Sequence, residues 1–196
     1  MSLILASTSA YRQALLKRLG LPFEVEAPGV SEVLIAGEAP AVRALRLALA
    51  KAQAVARLHP VAWVLGSDQV ADCEGRILEK PGDAHRCREQ LAACSGRSVI
   101  FFTAAVLMRG ALPAMDQHVD RTIVRFRALS SGEIARYVER DRPFDCAGGF
   151  RCEGLGIALF EAIDTSDPTA LIGLPLIWTA SALRQACLDP ISANQS

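Results

Sequence analysis

The sequence is short of the features that mark several large classes of protein. It has no surplus of either charge: 21 Lys and Arg residues balance 21 Asp and Glu residues in a chain of 196. No block of like charge stands out, which argues against a broad nucleic-acid or membrane surface and leaves room only for single basic residues in a pocket. None of the six cysteines, Cys73, Cys87, Cys94, Cys146, Cys152 and Cys187, belongs to a C-x-x-C pair. A structural zinc site is therefore not expected, and free thiols in a reducing compartment are. The opening Met1-Ser2-Leu3-Ile4-Leu5-Ala6-Ser7 has no basic leader, and the longest apolar stretch, Val99 to Met108, is far too short to span a bilayer. Neither a secretory signal nor a membrane segment is expected, and the location expected is cytoplasmic. Neither G-x-G-x-x-G nor G-x-x-x-x-G-K-[ST] occurs, so a dinucleotide-binding fold and a P-loop are both disfavoured. Internal repeats, low-complexity segments and clear linkers are also lacking.

What is present reads as an α/β chain, long enough for one large domain or two small lobes around a shared core. Leu3 to Ala6 predicts a short buried strand, and a helix begins near Ala10 with Leu15, Leu16 and Leu19 as its core stripe, ending at Gly20 and Pro22. Phe23 to Glu26 alternates as a half-buried strand. A second helix is predicted from Ala41 to Leu58, with Arg43, Arg46, Gln53 and Arg57 as its polar stripe. Val61 to Leu65 is a continuous apolar strand, followed by a hairpin around Glu74-Gly75. Asp83 caps a helix ending near Ser95-Gly96; Val99 to Met108 and Asp120 to Arg127 are strands. Ser130-Ser131-Gly132-Glu133 is a capping box. Ile157 to Ile163 is a further strand, and Pro175 opens a last helix reaching Cys187. The hairpins that interrupt the β/α alternation predict a mixed sheet. Residues 1–190 form one domain in this reading, and 191–196 a polar tail.

Five places carry residue types suited to chemistry. Ser7-Thr8-Ser9-Ala10-Tyr11-Arg12 lies between a strand and a helix, where free N–H groups, the hydroxyls of Ser7 and Ser9 and the Arg12 fork suit a phosphate; the plainer alternative is an ordinary Ser9 N-cap and a solvated Arg12. Lys51 shares a helix face with Leu47, Ala48, Ala54 and Val55, so it either snorkels to an edge or points into a cleft. Gly66-Ser67-Asp68-Gln69 is placed at the end of a buried strand, where ligand sites of open α/β sheets gather; Asp68 is there either a base or metal ligand, or a turn residue. A three-residue hairpin loop sets Asp68 opposite Lys80, and a two-residue loop sets Gln69 there. Cys146 to Gly156 holds four glycines within the nine residues Gly148 to Gly156, with Glu153 beside exposed backbone; the plainer alternative is a bulged strand pair. Glu32, in a loop after a strand, is either an ordinary solvated carboxylate or able to join Asp68 at a shared metal.

In order along nearly the whole chain, Leu5-Ala6-Ser7-Thr8-Ser9 with Arg12, Lys51-Ala52, Gly66-Ser67-Asp68-Gln69, Lys80-Pro81, Cys146-Ala147-Gly148 to Gly156, and Gly173-Leu174-Pro175 resemble the Maf family of nucleotide pyrophosphatases. The resemblance implies an elongated mixed β-sheet flanked by helices, in two lobes around a central cleft, as in Maf and ITPase-like proteins. It implies hydrolysis between the α- and β-phosphates of a nucleotide with a divalent cation, Mg2+, Mn2+ or similar. On this chain the family's general base falls on Asp68, and its phosphate and metal contacts fall on Ser7, Arg12, Glu32, Lys51 and Lys80.

Tyr11, Gln69 and Glu153 look like the subgroup that acts on 7-methyl-GTP, in contrast to the one acting on dTTP and UTP. N7-methylation makes guanine cationic, which suits the face of Tyr11; Glu153 is able to accept the guanine N1–H and amino protons, and Gln69 adds an amide. Two departures stand out. Ser31 replaces the usual aspartate before Glu32, removing a charge near the metal, and Cys152 replaces a more usual serine, a weaker donor expected to lose a hydrogen bond near the base. Against the hydrolase reading stands a nucleotide-binding module without turnover. The partner expected is a nucleotide, not nucleic acid or membrane, and a homodimer is compatible with the resemblance.

Overall fold

The computed structural model describes residues 2–110 and 116–192. Residues 193–196 of the expected polar tail lie outside the described residues. Seven strands, β1 (Leu3–Ala6), β2 (Glu24–Glu26), β3 (Trp63–Cys73), β4 (Arg76–Leu78), β5 (Ser98–Arg109), β6 (Asp116–Phe126) and β7 (Phe160–Asp164), form one sheet in the order β2-β1-β3-β5-β6-β7, with β4 on β3. β1 runs parallel to β2 and to β3, whereas β3–β4 and β6–β7 are antiparallel. The sheet is therefore mixed, as the hairpins predict. Among the described residues five α-helices accompany it: α1 (Ala10–Lys17), α2 (Pro40–Ala56), α3 (Ala84–Cys94), α4 (Ser131–Asp141) and α5 (Leu176–Gln185).

The chain divides into two compact units. The first comprises Met1–Asp68, Thr103–Asp120 and Asp167–Ser196. Its core is aliphatic: Leu15 and Leu16 of α1 and Leu176 and Leu183 of α5 pack with Leu3, Leu5, Leu65 and Leu107 of the sheet. α2 is different in character. Its buried face is Ala44, Leu47, Ala48, Lys51, Ala52, Val55 and Ala56, a row of small residues that lets the helix axis come close to a strand. Gly66 of β3 completes the fit. A Cβ built there would lie far inside van der Waals contact of the Ala48 carbonyl oxygen and of Ala52.

The second unit comprises Gln69–Phe102 and Arg121–Ser166. Phe101, Phe126, Phe150 and Phe160 meet edge to face in its core, with ring centroids 4.9–5.5 Å apart, the arrangement that ring quadrupoles favour. α3 is capped by Asp83, whose carboxylate accepts the Arg86 N–H at 2.9 Å. α4 carries the full capping box: Ser130 Oγ accepts the Glu133 N–H at 3.3 Å, and Glu133 Oε2 accepts the Ser130 N–H at 2.9 Å.

The structure corrects two boundaries and decides between the two hairpin registers. Gly66-Ser67-Asp68-Gln69 is not at the end of a strand; β3 runs straight through it to Cys73. The Gly-Ser-Asp run has turn composition, but the close approach of α2 requires a glycine inside the strand. The hairpin loop has two residues, Glu74 and Gly75, both at positive φ (53° and 86°), as a tight turn matched to strand twist requires. With Cys73 paired to Arg76 and Ala71 to Leu78, the same register carried two residues further sets Gln69, not Asp68, level with Lys80. Finally, Leu155–Leu159 is a 3-10 turn, and the last strand starts only at Phe160.

Two outcomes follow. Gly66→Ala forces α2 off β3 and is expected to cost about 1–3 kcal/mol in urea denaturation; a loss below ~0.5 kcal/mol would show that the helix is not seated on this glycine. Hydrogen bonds from the Ser130 backbone and hydroxyl, then from Arg127, hold the Glu133 carboxyl near about 2 instead of 4.5. A depressed folded-state pKa gives stability that is present above the unfolded value and fades as pH falls through the folded one. The stability difference between the parent and Glu133→Gln should thus be full above about pH 4.5 and vanish towards pH 2; a pH-independent difference contradicts the capping box.

Candidate active site

The first unit brings four of the sequence-predicted residues together. Lys51, on the buried face of α2, places Nζ 2.5 Å from Asp68 Oδ1 and 2.6 Å from Glu32 Oε1. Lys51 and Asp68 are only 7% and 6% exposed, whereas the Glu32 side chain is 53% exposed. The lysine therefore does not snorkel; it spans a buried and an open carboxylate. Asp68 reaches it from the middle of β3, and the Gly66 contact sets the spacing between helix and strand. Glu32 is brought in by its loop, which α2 pins through Arg46. Arg46 forks onto both Glu38 carboxylate oxygens at 2.6 Å and donates to the Val33 carbonyl at 3.2 Å. Arg46 belongs to the polar stripe of the helix, and its role in holding this loop is not legible in the sequence. Hydrogen bonding from Arg46 keeps the Glu38 carboxyl below its ordinary value.

Arg12 is the fourth member. Desolvation lowers its guanidinium from the ordinary arginine value, and attraction from Asp68 and Glu32 acts in the opposite sense, which places it in the field of both carboxylates. An arginine remains cationic under such a shift. Its Nε–H donates to the Gly173 carbonyl at 2.9 Å. Among the five donors of a guanidinium, that contact uses one and orients the rest.

The start of α1 answers in part to the plainer alternative. Ser9 is an N-cap whose hydroxyl accepts the Arg12 N–H at 3.4 Å, and Ser7 Oγ accepts the Ser9 N–H at 3.1 Å. Ser7 is buried and Tyr11 half-buried. These serines shape the strand-to-helix corner that aims Arg12.

Gln69, Lys80 and Glu153 belong to the second unit. Gln69 is half-buried, and Lys80 and Glu153 are exposed. Cys152 Sγ donates to Glu153 Oε2 at 3.4 Å, so the thiol at this position does make a hydrogen bond. Burial, then the Glu153 charge, pushes the Cys152 thiol up to about 12, which keeps it protonated and donating.

Sequence reasoning gave no role to Ser67, Asp167 or Thr169, nor to the Gly173 carbonyl. Ser67 Oγ donates to that carbonyl at 3.0 Å beside Arg12. The Asp167-Pro168-Thr169 spacing, a short polar side chain two residues before another, was the available signal for a loop tied by its own side chains.

A profile of the Maf-like protein family matches residues 2–186. The chain belongs to that family. A relative from Xanthomonas oryzae pv. oryzae, a 7-methyl-GTP pyrophosphatase, is 54% identical over 94% of this Maf-like chain and 96% of its own. Another 7-methyl-GTP pyrophosphatase, from Bordetella avium, is 50% identical over 96% and 95%. Among solved structures, a Ham1 protein of Staphylococcus aureus aligns with a TM-score of 0.45 at 13% identity, over 64% of this chain and 72% of that one, a likeness too loose to carry an argument. No helix among the described residues is long and apolar enough to cross a membrane.

Removing the lysine leaves Asp68 buried without its cation. Lys51→Met is expected to destabilise the Maf-like fold by about 3 kcal/mol at neutral pH, and adding Asp68→Asn to recover most of that loss. Urea denaturation of the two single variants and the double variant measures both; additive losses would mean that the two residues do not act as a pair.

Proposed function

We propose that this Maf-like protein hydrolyses a nucleoside triphosphate to the monophosphate and pyrophosphate, with 7-methyl-GTP as the preferred substrate. The carrying observation is the Lys51 ammonium held between Asp68 and Glu32 with Arg12 in their field. Two cations and two carboxylates at one place serve a polyanion and a water nucleophile together. The names of the relatives support the substrate, and so do three residues of this chain. Tyr11 offers an aromatic face, worth roughly 0.5–2 kcal/mol to the cationic ring of an N7-methylated guanine. Glu153 is the acceptor for the guanine N1–H and amino group, and Gln69 adds an amide. Lys80 is the further phosphate contact.

In this reading Asp68 orients a water and takes its proton as the oxygen attacks the α-phosphorus in line with the departing pyrophosphate. A positioned general base contributes roughly 10²–10⁴ in rate. Lys51 and Arg12 offset the charge that grows on the α-phosphate and the leaving group. Lys51 has a second effect: it gives the buried Asp68 side chain an ion-pair partner inside the protein.

The donors suit a hard divalent cation. Glu32 and Asp68 each place one oxygen on the same ammonium nitrogen, so both are within reach of one shared cation. No group of three His, Cys, Asp or Glu side chains that could hold a metal occurs among the described residues. Glu32 and Asp68 would hold the ion, which supplies charge neutralisation on the phosphate oxygens. The absence of a carboxylate at Ser31 leaves this site with less protein charge.

Purified protein with a panel of nucleoside triphosphates and Mg2+ is expected to release pyrophosphate and to favour 7-methyl-GTP over GTP, dTTP and UTP. Asp68→Asn should cut kcat by about 10²-fold or more while nucleotide binding persists. A preference for dTTP and UTP would reassign the base pocket, and binding with no pyrophosphate release would make the protein a nucleotide-binding module.

A further inference from the structure

The loop before α5 is tied more tightly than its length requires. Asp167, 4% exposed, accepts three hydrogen bonds: from the Thr169 N–H at 2.8 Å and hydroxyl at 2.6 Å on Oδ1, and from the Ile177 N–H at 2.7 Å on Oδ2. The last of these meets the carboxylate at the N-terminal turn of α5, where the helix dipole favours it. Thr169 Oγ1 in turn accepts the Leu176 N–H at 2.8 Å and stands 2.9 Å from the Leu174 carbonyl. Both ends of the segment 169–177 are thus fastened to two buried side chains. Between them lies Gly173, at φ 130° and ψ 4°, a conformation open to glycine and strained for other residues. That backbone turns the Gly173 carbonyl towards Arg12 Nε and Ser67 Oγ, which both donate to it. One carbonyl oxygen therefore joins α1 to the strand position next to Asp68.

We propose that Thr169 and Asp167 are positioning residues: by fixing the 169–177 loop they aim the Gly173 carbonyl, which locks the Arg12 guanidinium in the orientation that receives the triphosphate. This deepens the pyrophosphatase reading and rests on Arg12 being a phosphate contact. Neither side chain touches substrate. An arginine has several rotatable bonds, and holding one donor on a fixed carbonyl removes most of the freedom that phosphate binding would otherwise have to suppress.

The test is a double-mutant cycle read by calorimetric binding of the α,β-methylene analogue of 7-methyl-GTP with Mg2+. Thr169→Val keeps the shape and removes the hydroxyl; it should weaken binding about tenfold, the scale of one well-placed hydrogen bond. Thr169→Ser should recover most of that loss. Arg12→Ala should weaken binding at least as much, and Thr169→Val added to it should change affinity by no more than about twofold, because the loop acts only through Arg12. Ser67→Ala, which removes the other donor on the same carbonyl, should show the same dependence on Arg12 and serves if Thr169→Val does not fold. A Thr169→Val loss that persists undiminished without Arg12, or no loss at all, overturns the proposal. If Arg12→Ala binds the analogue as well as the parent does, the phosphate role of Arg12 fails first.

Discussion

Burying a lysine beside an aspartate is the constraint around which the first unit is built. Each charge alone would be expensive to remove from water, and the pair is tolerated because one neutralises the other at 2.5 Å. A pair of this kind adds little net stability compared with apolar side chains of the same volume. Yet several local features serve it. The alanine row of α2 and the missing side chain at Gly66 bring helix and strand within reach of a Lys–Asp contact. The Arg46–Glu38 fork holds the loop that supplies Glu32. A fold that keeps a costly charge pair buried, and shapes its packing to do so, directs attention to chemistry at that place.

The same logic extends to Arg12. A guanidinium that is desolvated and drawn to two carboxylates could adopt many poses; here a single backbone carbonyl selects one. Cations fixed before the ligand arrives lose less entropy on binding and need no rearrangement as charge develops. The second unit meets a different demand. Its phenylalanine cluster makes a stiff core, and the exposed Glu153 carries a thiol donor from its neighbour, which keeps the carboxylate partly satisfied.

Much of this was legible in the sequence, for identifiable reasons. Ser9, Asp83 and the Ser130–Glu133 box were readable because capping depends on side chains three residues apart in the chain. Lys51 stood out as a charge on an apolar helix face, and Glu32 and Asp68 as carboxylates for a shared metal; that both carboxylates pair with Lys51 was not legible. The uninterrupted path of β3 was not legible. Gly66-Ser67-Asp68 has the composition of a turn, and only the tertiary approach of α2 explains a glycine inside a strand. The roles of Arg46 and Ser67 were hidden for a related reason: Arg46 meets Glu38 and the Val33 carbonyl, and Ser67 the Gly173 carbonyl, only once the chain has folded. The choice between two hairpin registers rested on whether Glu74 takes a positive φ, and sequence alone does not decide that for a glutamate.

In the proposed mechanism Asp68, with Lys51 and Arg12 beside it, directs water to the α-phosphorus of a nucleoside triphosphate. Single turnover in 18O-enriched water measures this most directly, because the label marks the atom that was attacked. Mass spectrometry should find one 18O in the nucleoside monophosphate and none in the pyrophosphate. Label in the pyrophosphate would place the attack on the β-phosphorus and contradict the account.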